Sequence, residues 1–141
     1  MSAVPVPQDA APSLRRRFAS MAYEAILLFA VAFIGVWLFQ FAAGTLAIEG
    51  WRRHLLQFFL LAVFAIYFVW CWTRGGQTLA MKTWRICVVS KEGHRRLTPR
   101  QALLRYLCAW LLPVSVLWAL VDRDRQFLHD RIAGSLLIPA E

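Results

Sequence analysis

Glu24 is the residue in this chain best placed to do chemistry, because of its surroundings. It is the single carboxylate in an apolar run, LRRRFASMAYEAILLFAVAFIGVWLFQF over residues 14–41, that opens on Arg15, Arg16 and Arg17. From Ala25 to Ile48 there is no charged residue. At about 1.5 Å per residue, that length is enough for a helix to cross a hydrocarbon layer about 30 Å thick. An acid roughly 9 Å inside such a helix is costly unless it faces protein or water and finds a partner. It can take up and release a proton, ligate a small cation, or simply fix helix packing by pairing with a base. Arg17 stands seven residues earlier, about two turns along nearly the same face, and reads first as an interfacial anchor.

Other polar residues fall into two groups. His129 and Asp130, in RQFLHDR near the end of the chain, would join a polar cluster with Glu24 if the tail folds back against the spans. Gln77, Thr78 and Lys82 follow the Gly75-Gly76 break and suit either a lipid headgroup or the polar face of a short interfacial helix. Arg105, early in the third apolar run, can snorkel to the interface. No catalytic motif is present: GxSxG, HExxH and the P-loop are all missing. Cys71, Cys87 and Cys108 lack CxxC or His/Cys ligand spacing. No enzyme, cofactor or metal site is expected.

The elements that must position these groups follow from composition. Of 141 residues 60% are hydrophobic and 17% charged, which is too apolar for a soluble domain of this size. The pattern predicts an all-α membrane protein with three transmembrane helices, at about 18–41, 55–73 and 102–121, in one domain over 14–141 after a flexible tail, 1–13. Short amphipathic segments lie between the spans. RICVVS, residues 85–90, carries a β-like run, Lys91 to His94 reads as a turn, and Thr98-Pro99-Arg100-Gln101 reads as a capped helix start. Pro113 should kink the third run. The net charge of +8 fits basic flanks beside spans, and no motif points to nucleic acid.

Orientation follows from Lys and Arg. With the N-terminus inside and three crossings, eleven of the sixteen lie inside. A re-entrant third run would return the tail and raise that to fourteen, but twenty residues split into two arms reach only about 15 Å each. Three full spans, N-terminus cytoplasmic and C-terminus outside, in a bacterial-type inner membrane, are therefore the expectation. A weak internal echo bears on the choice. GQTLAMKTWRICVV aligns without gaps on RQFLHDRIAGSLLI, matching Gln77 with Gln126, Leu79 with Leu128 and Lys82 with Arg131. Three crossings put the copies on opposite sides, as in an inverted repeat. A re-entrant run puts them on one side, where their apolar ends would pair as strands.

Arg17 followed by Glu24, the GGQTLAMKTWRICVV stretch and RQFLHDRIAGSLLI together resemble the RDD family of small membrane proteins. The family is named for an arginine at the foot of its first helix, an aspartate within that helix and a second aspartate. By position the resemblance assigns these to Arg17, Glu24 and Asp130, with Glu24 one methylene longer than the family's residue and Ala80 standing where such sequences often have glycine. It implies architecture more than activity, which is poorly defined in the family; transport has been suspected. Transport or ion and proton handling at Glu24 is thus the reading, in contact with the lipid bilayer. Three short helices can hardly enclose a pathway, so transport implies a homo-oligomer. The rival is a membrane adaptor that binds a protein partner through its basic loop, residues 74–105.

Overall fold

The computed structural model describes residues 12–44, 49–110, 112–123 and 126–140. Most of the expected tail, 1–13, lies outside them. In order they form α1 (Leu14–Ala43), α2 (Trp51–Arg74), α3 (Leu79–Thr83), β1 (Ile86–Ser90), α4 (Pro99–Ala109), α5 (Leu112–Val121), α6 (Leu128–Ile132) and β2 (Ser135–Pro139).

Two helices, α1 with 30 residues and α2 with 24, are long and apolar enough to cross a membrane; there are up to three if the bent pair α4 and α5 counts as one span. α1 starts at Ser13, whose hydroxyl accepts the Arg16 N–H, and ends at Gly44 in the left-handed conformation. Its buried residues are Arg17, Ser20 and Glu24, spaced so as to share one face. Ile26, Phe29, Phe33, Trp37 and Phe41 are exposed. Polar in and apolar out is the reverse of a helix in water, and it fits a lipid surround. The chain is a membrane protein.

The core lies at the far end of α2, where Trp72, Met81, Ile86, Val88, Leu97, Ala102 and Tyr106 pack together. Glycine brings the chain back onto it. Gly76 has φ +67°, its carbonyl accepts the Val88 N–H at 2.7 Å, and a Cβ there would meet Cys87 Sγ and Val88 O at 2.9 Å. α4 then runs back along α2, and Tyr106 Oη donates to Leu61 O at 2.9 Å. Its start is the capping box expected from sequence: Thr98 Oγ1 accepts the Gln101 N–H at 3.3 Å and Gln101 Oε1 accepts the Thr98 N–H at 3.1 Å. Thr98→Ala should lower stability by about 1 kcal/mol, seen as an earlier unfolding midpoint in detergent.

β1 and β2 form a two-stranded antiparallel ribbon centred on Val88 opposite Leu137, with Ile86 opposite Pro139 and Ser90 opposite Ser135. The sequence echo is structural. Under the alignment that matches Gln77 with Gln126, α3 falls on α6 and β1 on β2 without displacement at either end. Each short helix is followed by a left-handed residue, Arg85 at φ +51° and Gly134 at φ +62°. The ribbon's outer hydrogen bonds obey the same relation, Lys91 N–H to Gly134 O at 2.8 Å and Ala140 N–H to Arg85 O at 2.9 Å. The two units are related by a local two-fold axis through the Val88–Leu137 pair.

The run 102–121, expected as one kinked span, is two short helices set at 97°. Pro113 lies in the first turn of α5, where its missing N–H costs nothing. β1 and β2, the strands on either side of this pair, are hydrogen-bonded to each other.

Candidate functional site

Glu24 is 9% exposed and tied to two other elements. Tyr67 Oη on α2 donates to Oε1 at 2.9 Å, and Thr78 Oγ1 donates to Oε2. Thr78 is also the N-cap of α3, its oxygen accepting the Met81 N–H at 3.2 Å, so its hydroxyl proton is left for Glu24. Both carboxylate oxygens are thus met by neutral donors. No Lys or Arg among the described residues forms an ion pair with Glu24.

A second buried cluster surrounds Asp130, which is 1% exposed. Arg105 reaches its Oδ1 through Nη2 at 2.7 Å and Nε at 2.9 Å, while its guanidinium lies 4.3 Å from the Trp72 ring centroid. Arg105 therefore does not snorkel; an internal carboxylate holds it. His129 is stacked on Phe127, centroids 5.3 Å apart and planes within 9°. Its backbone N–H donates to Ser115 Oγ at 3.2 Å, and Nδ1 lies 2.7 Å from the same oxygen. Nε2 faces Asp130 Oδ1 at 3.6 Å. Placing the ring proton on Nε2, with Ser115 donating to Nδ1, avoids opposing a lone pair to a carboxylate oxygen. Burial pushes the His129 pKa down to about 4, outweighing the upward pull of Asp130, so the ring is neutral at pH 7.

A cavity of about 470 Å³ lies between α1, α2 and α4, and Arg17, Glu24, Thr78, Arg105 and His129 all line it. Arg17 is 2% exposed, its guanidinium 5.9 Å from the Phe127 ring centroid, and the charges of Asp130 and Arg105 act on it. Residues from both ends of the sequence thus gather at one place, as the folded-back tail required. Of the four residues expected at the lipid interface, three turn inward. Gln77 donates its side-chain N–H to Ile86 O at 2.9 Å, while Thr78 and Arg105 are buried; Lys82 alone is exposed. Tyr67 and Ser115 were not legible as site residues. In an apolar run, a tyrosine near Trp70 and a lone serine carry no positional signal of their own.

The RDD family model matches residues 11–134. The chain belongs to the RDD family. Within it, this RDD protein is 32% identical over 78 residues to "Uncharacterized protein RP437" of Rickettsia prowazekii (strain Madrid E), a match covering 55% of this chain and 45% of that one. The match thus spans less than half of that relative's length. No solved structure matches.

Proposed function

We propose that this RDD protein handles a proton or a small cation at Glu24, as a multi-pass protein of a bacterial-type inner membrane. The observation that carries this reading is a sequestered carboxylate at the foot of a membrane helix, held by two hydroxyls, facing a cavity and, among the described residues, in no ion pair. A purely structural acid would be expected to sit against a base. α1 and α2 cross, the α4–α5 pair dips in and returns, and the N-terminus, the 74–98 loop and the C-terminal strand lie on the cytoplasmic side. The β1–β2 pairing supports this arrangement, and so does charge: fourteen of sixteen Lys and Arg then fall inside. Two crossings and a bent hairpin do not enclose a pathway, so transport would use a homo-oligomer.

Reconstitution into liposomes tests the reading. Cation-dependent proton flux should fall to the level of protein-free vesicles in Glu24→Gln and survive in Glu24→Asp. Absence of flux from the folded wild-type oligomer would instead favour an adaptor, a reading supported by the exposed basic residues Lys91, Arg95, Arg96 and Arg100. Thiol labelling of a cysteine placed at the C-terminus, with Cys71, Cys87 and Cys108 replaced, reports the side. Labelling from outside the cell would overturn the proposed topology.

A further inference from the structure

The charge on Glu24 and the walls of the cavity beside it call for the same kind of ligand. Glu24 lies at the edge of a space of about 470 Å³, within the range that holds small organic molecules. That space is walled by Phe64, Phe68 and Trp72 from α2, by Tyr106 from α4 and by Trp110 at its C-cap. Aromatic faces carry negative quadrupole density and attract cations, most strongly where water is excluded. The cavity already shows this preference, since Arg105 sits over Trp72 at 4.3 Å. An inorganic cation would use the carboxylate and leave the aromatic wall without a role; hard cations seek a shell of oxygens. The oxygens hydrogen-bonded to Glu24 are the hydroxyls of Tyr67 and Thr78.

The two guanidiniums that reach the cavity do not reverse this charge logic. Arg105 is bound to Asp130 at 2.7 Å, and Arg17 is subject to the same carboxylate. Arg17 also lies two helical turns from Glu24, about 10 Å along α1. The ends of the cavity therefore differ: one holds two guanidiniums around Asp130, the other a carboxylate that forms no ion pair among the described residues. Leu28 of α1 and Ala109 of α4 also line the cavity, so its wall is apolar away from the charged groups.

We propose that this cavity binds a lipophilic organic monocation, its charge against Glu24 and its apolar body against the aromatic wall. The proposal rests on the reading of Glu24 as a cation-handling carboxylate and names the class of cation it takes. A ligand of this kind also partitions into the bilayer, so binding has to be measured apart from partition.

A pair of probes of the same shape and opposite charge tests it: tetraphenylphosphonium and tetraphenylborate. Equilibrium dialysis of each against the full chain in lipid nanodiscs, with empty nanodiscs subtracted, measures binding apart from partition into lipid. Saturable binding of tetraphenylphosphonium is expected, with tetraphenylborate weaker by about tenfold or more. Glu24→Gln should weaken the cation by a similar factor, Glu24→Asp should restore most of it, and neither should change the borate. Equal binding of the two probes by the wild type, or no saturable cation binding, overturns the proposal; that comparison stands even if Glu24→Gln fails to fold. Measuring cation-dependent proton flux in liposomes reconstituted with the same purified protein separates the two readings. Glu24-dependent flux without phosphonium binding defeats the organic-cation site and leaves the broader function in place. Phosphonium binding without flux does the opposite.

Discussion

Replacing Arg105 by Met should cost the fold about 3–5 kcal/mol, the largest loss expected of any single substitution in this chain. Asp130 is 1% exposed and both of its short charge-assisted contacts come from Arg105, through Nη2 at 2.7 Å and Nε at 2.9 Å. Removing the guanidinium leaves the buried carboxylate with longer contacts at Oδ1, to the Ser135 hydroxyl at 3.4 Å and His129 Nε2 at 3.6 Å. Arg105→Lys should recover part of the loss. A lysine keeps the charge but can offer neither the two-pronged approach nor the flat contact with Trp72. The double replacement Arg105→Met with Asp130→Leu should be more stable than Arg105→Met alone, because it removes the stranded charge instead of exposing it. Unfolding midpoints in a denaturing-detergent titration measure all three. A single Arg105→Met variant as stable as the wild type would mean that the pair contributes nothing to holding α4 against α6.

The second large effect is a loss of stability in mild acid that depends on His129. Its pKa is about 4 in the folded protein against an ordinary 6.5, because burial opposes the charged ring. Between those values the unfolded chain binds a proton that the folded chain does not, so stability rises with pH in that window. It is fully present above about pH 6.5 and falls as the pH drops towards 4, by about 3 kcal/mol for this group alone. His129→Phe should flatten the stability profile across that window, even if loss of the contact with Ser115 lowers its overall level. Unfolding free energy measured at intervals from pH 7 to 4 gives the comparison. Identical slopes in the two proteins would show that the acid response comes from other groups.

How far the sequence discloses this arrangement depends on whether a residue is out of place in its own segment. Glu24 announces itself because a carboxylate inside an uncharged run has to be explained, and its burial against Tyr67 and Thr78 is the protein-facing position that reasoning requires. The capping box at Thr98 and Gln101, the β-like run at 86–90 and the turn after it are local patterns, and they form where the residues indicate. Arg105 misleads for the same local reason. An arginine near the end of an apolar run normally reaches for water, and only the distant Asp130 makes the inward rotamer favourable. The path of the third run was also hidden. Its length allows a crossing, while the sharp bend within it and the hydrogen bonds between β1 and β2, elements on either side of it, are set by distant residues. The echo between residues 76–89 and 125–138 held that information, in only two identities.

The ribbon between β1 and β2 also sets an order of events during synthesis. Val88 leaves the ribosome well before its partner Leu137, and both α4 and α5 must be made in between. At translation rates of about 5–20 residues per second, the first strand therefore waits several seconds with the edge that faces β2 unpartnered. During that interval Ile86, Val88 and Val89 are a sticky edge, exposed to other nascent chains and to chaperones. Closure of the ribbon waits for Ser135–Pro139, and a chain that stops short of Ser135 cannot make it.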